Sequence, residues 1–257
     1  MTKRFLMAEM TSPEFAERIK AGDLVIIPTG TTEQHGPHLP LGVDFMLPQA
    51  MALDIASQVG GVVTPPVNFG YKSMPRSGGG PFFPGTIGVD GATLSHLIRD
   101  VIRELARHGV RKICILDGNY ENLWFLNEGV DLAYRELAES DIKIMVLQHW
   151  EFIADETFSS VFPDGFPGIE LEHAAVLETS LMMHYYPDLV REDKIPDNPP
   201  AVSGPYDVWP PHKEWVPQSG ALISAKGASA EKGRLIANQV GNDIVGAIKR
   251  EFGIRGT

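Results

Sequence analysis

Side chains that could bind a metal ion stand close together near the start of the chain. Glu33, His35 and Asp44 lie in a glycine-punctuated stretch, residues 30–44. Carboxylate and imidazole groups are ligands that suit zinc and manganese. Spacing of this kind is equally compatible with capped turns and solvated loops, so a metal site requires further ligands from elsewhere in the chain.

A second polar group follows an apolar run in the same way. Residues 117–122, Asp-Gly-Asn-Tyr-Glu-Asn, come directly after the run 112–116, just as the first group follows the run 24–28. Both runs are short and show no clear alternation, which predicts strands that are buried on both faces. In layered α/β folds the active site gathers at the carboxyl ends of the strands. We therefore expect the two polar groups to converge there.

The rest of the chain alternates between strand and helix patterns. From Leu94 to Leu105, apolar residues recur three and four positions apart, which predicts an amphipathic helix. Further strands are predicted at 61–64 and 143–147, and further helices near 47–58, 122–139, 172–185 and 229–251. This alternation predicts a layered α/β fold with a mainly parallel sheet.

The composition and net charge of the chain argue against several kinds of binding partner. Lys and Arg total 22 against 33 Asp and Glu, and the formal charge of −11 argues against a nucleic-acid or anionic-membrane surface. The single cysteine, Cys114, rules out an intrachain disulfide and is predicted to be a core residue. No apolar run reaches about 18 residues, and Glu9 comes too early for a signal-peptide core. We expect a cytoplasmic protein with a small-molecule partner and neither a nucleic-acid nor a membrane partner.

Specific motifs give a family resemblance. The stretch 32–40, Thr-Glu-Gln-His-Gly-Pro-His-Leu-Pro, together with Asp44, resembles the signature of the creatininase family. Similar stretches continue at 71–73, 77–80, 83–86, 103–109, 172–173 and 178–181. The resemblance runs from about residue 8 to residue 252. It implies one domain over 1–257, a three-layer α/β/α sandwich with a mainly parallel central sheet, a homohexamer and a two-metal site.

The resemblance also implies which residues hold the metals. Glu33 would bind the first ion, His35 and Glu121 the second, and Asp44 would bridge them. Where the family motif reads Gly-His-Tyr-Glu-Asn, this chain has Asn119 in place of the histidine ligand. An amide oxygen is a poorer zinc donor than imidazole. We therefore expect zinc, manganese or both, with a first site that is weak, selective for manganese or magnesium, or empty.

For catalysis, the resemblance implies that His173 donates a proton to the leaving nitrogen. Glu172 and Glu178 would lie beside it, Glu121 would hold both metal and water, and a neighbouring carboxylate is expected to orient the imidazole and raise its pKa. The substrate-binding residues that we assign are Ser77, Tyr120, Trp150 and Ile169. Ile169 stands where creatininase carries a lid tryptophan.

These assignments predict metal-dependent hydrolysis of a cyclic amide, with creatinine to creatine as the prototype. Relatives in such a family also act on other cyclic amides, formamides, peptides, or the carbon–carbon bond of cyclic diketones from inositol breakdown. A changed substrate is therefore the first alternative. A binding protein without catalytic activity is the second.

Overall fold

The computed structural model describes residues 4–254 and has a parallel sheet at its centre. The strands are β1 (Val25–Thr29), β2 (Val62–Val63), β3 (Lys112–Asp117) and β4 (Lys143–Gln148). Their order in the sheet is β2-β1-β3-β4, and every neighbouring pair is parallel. The four predicted strands are therefore confirmed, with β2 shorter than expected.

The register of the sheet aligns three strand ends. Thr29 of β1 pairs with Asp117 of β3, and Asp117 pairs in turn with Gln148 of β4. Each of these residues is the last of its strand. The loops that follow β1, β3 and β4 consequently leave the sheet side by side at one edge.

Seven α-helices surround the sheet. They are α1 (Ser12–Lys20), α2 (Val43–Val59), α3 (Gly91–Arg107), α4 (Leu123–Glu136), α5 (Asp155–Val161), α6 (Val176–Tyr185) and α7 (Ala230–Phe252), within the described residues. The amphipathic pattern that predicted α3 is confirmed, because Leu94, Ile98, Ile102 and Leu105 are buried.

Each face of the sheet covers its own hydrophobic core. Ile26 and Leu116 pack in one core with apolar residues of α2, α6 and α7, whereas Ile27 and Ile115 pack in the other with residues of α3 and α4. Successive strand residues alternate between the cores, so both faces are apolar. The result is the predicted three-layer α/β/α arrangement. Cys114 is buried in the first core, as expected, and burial raises the pKa of its thiol to about 12.

Two helix starts differ from the prediction, and both matter for the site. Helix α2 begins at Val43, so Asp44 lies in its first turn, where the helix dipole favours an acidic side chain. Helix α6 begins only at Val176. The predicted start at 172 is wrong because Ala174 has a left-handed φ of 55°, which interrupts the helix and leaves residues 172–173 in the preceding turn.

Between residues 4 and 254, none of the helices is both long enough and apolar enough to cross a membrane. Residues 1–3, part of the segment in which we expect no signal peptide, lie outside the described residues. That expectation therefore stays a prediction.

Candidate active site

A cavity with about 560 Å³ of empty space opens at the carboxyl edge of the sheet. The loops after β1, β3 and β4, the first turn of α2, the 73–80 loop and the turn before α6 all reach it. Eleven of the twelve predicted site residues line it: Glu33, Asp44, Ser77, Asn119, Tyr120, Glu121, Trp150, Ile169, Glu172, His173 and Glu178. The twelfth, His35, is not part of the lining.

One part of the cavity, which we call the floor, consists of Glu33, Asp44, Asn119 and Glu121. Burial, followed by the charges of Asp44 and Glu121, raises the pKa of Glu33 well above its usual value. Burial likewise raises the pKa of Asp44, and it raises that of Glu121 to about 7. Among the described residues that line the cavity there is no lysine or arginine. The floor therefore brings together carboxyl groups that no lysine or arginine in the lining balances; their raised pKa values favour the neutral forms, and a bound cation would favour the ionised ones.

His35 lies beside the floor and is fully buried. Its Nδ1 is 3.1 Å from the backbone oxygen of Glu33. A carbonyl only accepts, so Nδ1 carries the hydrogen of this bond, and Nε2 is the nitrogen that could bind a metal when deprotonated. Burial lowers the pKa of this imidazole, but the carboxylates of Asp44 and Glu178 outweigh burial and raise the pKa well above its usual value. That Nε2 lies 2.9 Å from Asp44 Oδ1 and 3.6 Å from Glu178 Oε2. It has no aligned hydrogen-bond partner in the structure, although it is buried.

These features fit a divalent metal ion. Buried carboxylates and an imidazole nitrogen are metal ligands, and a cation would balance the charge of the carboxylates. Within the described residues, the possible ligand atoms that lie within 4.8 Å of one another come from His35, His173 and Glu178. This group shares only His35 with the predicted ligand set, so the assignment of Glu33, His35, Asp44 and Glu121 as metal ligands stays a prediction.

The side-chain amide of Asn119 is oriented differently from the prediction. Its amide nitrogen is 3.2 Å from Asp44 Oδ2 and 3.5 Å from Glu33 Oε2, so in this structure it donates hydrogen bonds to these carboxylates. The amide oxygen, which would be the metal ligand, is buried without a partner. The assignment of Asn119 as a ligand stays a prediction.

His173 is buried against the residues of the first motif. Its Nε2 is 2.9 Å from the side-chain nitrogen of Gln34 and 3.7 Å from Glu33 Oε1, and its ring centre is 4.4 Å from that of His35. Burial, and then the charge of His35, lowers the pKa of His173 well below its usual value. The expectation of a raised pKa is therefore wrong, because desolvation of the buried ring outweighs its interactions with polar neighbours.

Glu172 and Glu178 hold the turn that carries His173. Glu172 Oε2 accepts a hydrogen bond of 2.8 Å from the Leu177 backbone N–H, and Glu178 Oε2 accepts one of 2.6 Å from the Ala174 N–H. Glu172 Oε1 is buried without a partner, and burial raises the pKa of this carboxyl group to about 8. Both acids thus stabilise the backbone that follows the predicted proton donor, from Ala174 to the first turn of α6.

A second set of lining residues, which we call the wall, consists of Tyr120, Trp150 and Ile169. Tyr120 is 45% exposed, and the other two side chains are partly buried. Ser77, predicted to bind substrate, instead donates a 2.5 Å hydrogen bond to Glu121 Oε1 in this structure. The wall is therefore more open than the floor and offers mainly aromatic and aliphatic surface.

Sequence reasoning missed Ser73 as a functional residue. It is buried, its hydroxyl donates to the Glu33 carboxylate, and it accepts a 3.0 Å hydrogen bond from the Gly80 N–H. A Cβ atom at Gly78 would collide with both the Glu33 carboxylate and the Ser73 hydroxyl. The run of glycines at 78–80 was therefore the available signal in the sequence for this close packing.

Comparison with known proteins identifies the family. A family model described as creatinine amidohydrolase matches residues 8–248. The chain belongs to the creatininase family. It is 46% identical to the creatinine amidohydrolase of Pseudomonas putida, with 98% of this chain and 99% of that protein covered.

Solved creatininase structures share the fold. A manganese form is 45% identical, has a TM-score of 0.95, and is matched over 97% of this chain and 99% of that chain. A Zn–Zn form of a creatininase variant is 44% identical, also with a TM-score of 0.95, over 98% of this chain and 99% of that one. The creatininase-like fold that the motifs implied is thus confirmed.

Proposed function

We propose that this protein hydrolyses the cyclic amide creatinine to creatine in a metal-dependent reaction. The observation that carries the proposal is the floor, where the carboxylates of Glu33, Asp44 and Glu121 converge beside His35 on one small cavity. The 46% identity to a creatinine amidohydrolase over nearly the whole chain supports the same substrate.

The metal would be held by Glu33, His35, Asp44 and Glu121, as zinc, manganese or both. The creatininase structures with these metals support that choice. When bound, the ion supplies positive charge that lowers the pKa of a water molecule and polarises a carbonyl oxygen. Ser77 and the Met74 backbone N–H both hydrogen-bond to Glu121 Oε1, which fixes the direction of this carboxylate.

His173 is the residue that moves the proton. Its lowered pKa means that the imidazole enters the reaction neutral and can accept the proton that the attacking water gives up. It then passes this proton to the ring nitrogen as the carbon–nitrogen bond of the amide breaks. One water is consumed, and the ring opens to the carboxylate and the free nitrogen of creatine.

The side chains of the wall suit a small, flat substrate. Trp150 supplies an aromatic face, and Ile169 supplies an aliphatic one. Aromatic surfaces favour stacking on planar groups, with a contribution of about 0.5–1.5 kcal/mol. Because Ile169 lacks a ring, we expect the substrate to be held on this side mainly by its other contacts.

The test is a product assay on the purified protein, loaded separately with zinc and with manganese. We expect creatine to form from creatinine, and little turnover of hydantoins, cyclic imides or keto-inositols. Turnover of a keto-inositol with none of creatinine would contradict the amide proposal. Binding of metal and creatinine without any turnover would favour a binding protein instead.

We further infer a homohexamer. Large apolar side chains lie exposed on the single chain, among them Trp124 at 77%, Trp209 at 68% and Val202 at 81%. Such surface is commonly covered by another subunit, and the number of six subunits is what the family resemblance implies. Light scattering on the purified protein should give about six times the chain mass of 28.2 kDa, and a monomer would contradict the inference.

We also propose that the protein resides in the cytoplasm. Its single cysteine is buried and forms no disulfide within the described residues, which is typical of proteins in a reducing compartment. Fractionation of the native host should recover the protein with cytoplasmic markers. Recovery in a periplasmic or extracellular fraction would contradict this.

A further inference from the structure

Gln148 is a buried polar residue that the proposed mechanism does not use. It is the last residue of β4 and is 4% exposed. Its side-chain nitrogen lies 3.0 Å from Asp117 Oδ2, 2.8 Å from the backbone oxygen of Asn119 and 3.4 Å from that of Tyr120. All three partners are oxygens that accept, so the donating amide nitrogen, and not the amide oxygen, must point toward them.

Asp117 provides a fixed anchor for this amide. Its carboxylate is fully buried and also accepts hydrogen bonds from Thr29 Oγ1 at 2.8 Å and from Asn122 Nδ2 at 3.0 Å. Donors from the end of β1, the end of β4 and the segment after β3 therefore meet on one carboxylate. Of the side chains that donate to Asp117, Gln148 is the one whose amide also reaches the carbonyls of residues 119 and 120. The backbone N–H of Asn122 adds a 3.3 Å hydrogen bond to the Asn119 carbonyl.

The segment after β3 carries two floor residues and depends on these contacts. Asn119 and Glu121 follow the strand, with Glu121 in a short 3₁₀ helix (Tyr120–Asn122), and Gln148 donates to the carbonyls of residues 119 and 120. From the other side, the 73–80 loop binds the Glu121 carboxylate through Ser77 Oγ and the Met74 N–H. The backbone and the carboxylate of this part of the floor are thus fixed from opposite directions.

We propose that Gln148 is a positioning residue for the reaction: it ties the backbone of residues 119–120 to the Asp117 anchor, so that Glu121 and Asn119 are held in the floor. This inference depends on the proposed function only where creatinine turnover is measured; the measurement of metal affinity does not require it. Residues that orient ligands from outside the metal's own shell typically contribute about 10–100-fold to metal affinity or activity.

The test compares Gln148→Met with Thr29→Val. Each substitution has nearly the same shape as the original residue and removes one donor from Asp117, but only Gln148 contacts the 119–120 backbone. For both variants, melting temperature, kcat and KM for creatinine, and Mn²⁺ affinity from the EPR signal of free Mn²⁺ would be measured. Gln148→Asn, whose amide is one carbon too short to reach all three acceptors, replaces Gln148→Met if the latter does not fold.

We expect the Gln148 variant to bind Mn²⁺ about tenfold or more weakly and to lose about tenfold or more in kcat. Thr29→Val should stay within about threefold of the natural protein in both, at a similar melting temperature. Equal effects of the two substitutions on Mn²⁺ affinity would overturn the proposal. Mn²⁺ affinity is measured without substrate, so it decides this question even if the natural protein fails to hydrolyse creatinine.

Discussion

The floor and the wall of the cavity are built in different ways. The floor side chains come from different elements, but they are held by several buried hydrogen bonds, such as those from Asn119 to Asp44 and from Ser77 to Glu121. The wall side chains come from three short 3₁₀ helices, and Tyr120 among them is 45% exposed. Side chains that are locked by buried hydrogen bonds place reacting groups more accurately than exposed side chains do. The difference indicates that the floor sets the chemistry, whereas the wall sets which ring is accepted.

The largest effect is expected from Asp44→Ala, which removes the central carboxylate of the floor. Removal of a residue that only orients a metal ligand lowers metal affinity or activity by up to roughly 100-fold, and removal of a direct ligand should lower it more. We therefore expect no measurable creatinine turnover and reduced metal content. The apo-protein should remain folded, since the change relieves repulsion with Glu33. The matched control is Asp54→Ala, at an exposed position of the same helix. Measurable creatinine turnover by Asp44→Ala would contradict the claim that the floor sets the chemistry.

The second-largest effect is expected from removal of the proposed proton-transfer residue. His173→Ala should lower kcat by about 100-fold or more, because proton transfer typically contributes about 10²–10⁴-fold. Metal content, measured by mass spectrometry, should stay the same as in the natural protein. His184→Ala in the last turn of α6 is the control. Full activity of His173→Ala would show that another group moves the proton.

A change at Asn119 sharpens the comparison within the floor. Asn119→His replaces an amide that donates to Asp44 and Glu33 with an imidazole that can bind metal. We expect Zn²⁺ to bind about tenfold or more tightly and the number of bound ions per chain to rise. Equilibrium dialysis followed by metal analysis measures both. Unchanged stoichiometry and affinity would mean that this position does not determine metal binding.

The smallest effect is expected from a substitution in the wall. Ile169→Trp adds an aromatic face, worth about 0.5–1.5 kcal/mol, so KM for creatinine should fall about twofold to tenfold. Because the floor is untouched, kcat should change little. Steady-state kinetics on creatinine separates the two parameters. A tenfold change in kcat with unchanged KM would show that the wall takes part in the chemistry.

Much of the fold could be predicted because its signals are local. The apolar runs 24–28 and 112–116 are buried on both faces, and their order along the chain fixes where the polar loops emerge. The start of α6 could not be predicted, because it depends on the backbone at Ala174 and on a hydrogen bond from Leu177 to Glu172. Such an interaction becomes visible only once the turn is folded.

For the site, the metal-binding and proton-transfer assignments came from motifs, and the structure brings those residues to one cavity. Ser73, Asp117 and Gln148 were not predicted as functional residues. Each is a buried polar residue whose partner lies far away in sequence, for example 40 residues from Ser73 to Glu33. Sequence spacing carries no signal for such a contact, and the pKa of His173 was mispredicted because its degree of burial was unknown.

The most direct test of the central claim is a metal titration of creatinine turnover. Protein stripped with a chelator would receive increasing Zn²⁺ or Mn²⁺, with bound metal and creatine formation measured in the same samples. We expect no turnover in the stripped protein and a rise in proportion to the bound ion, with Asp44→Ala inactive throughout. Sustained creatine formation by stripped protein, or metal binding that never restores it, would contradict the claim that the floor is a metal-dependent hydrolytic centre.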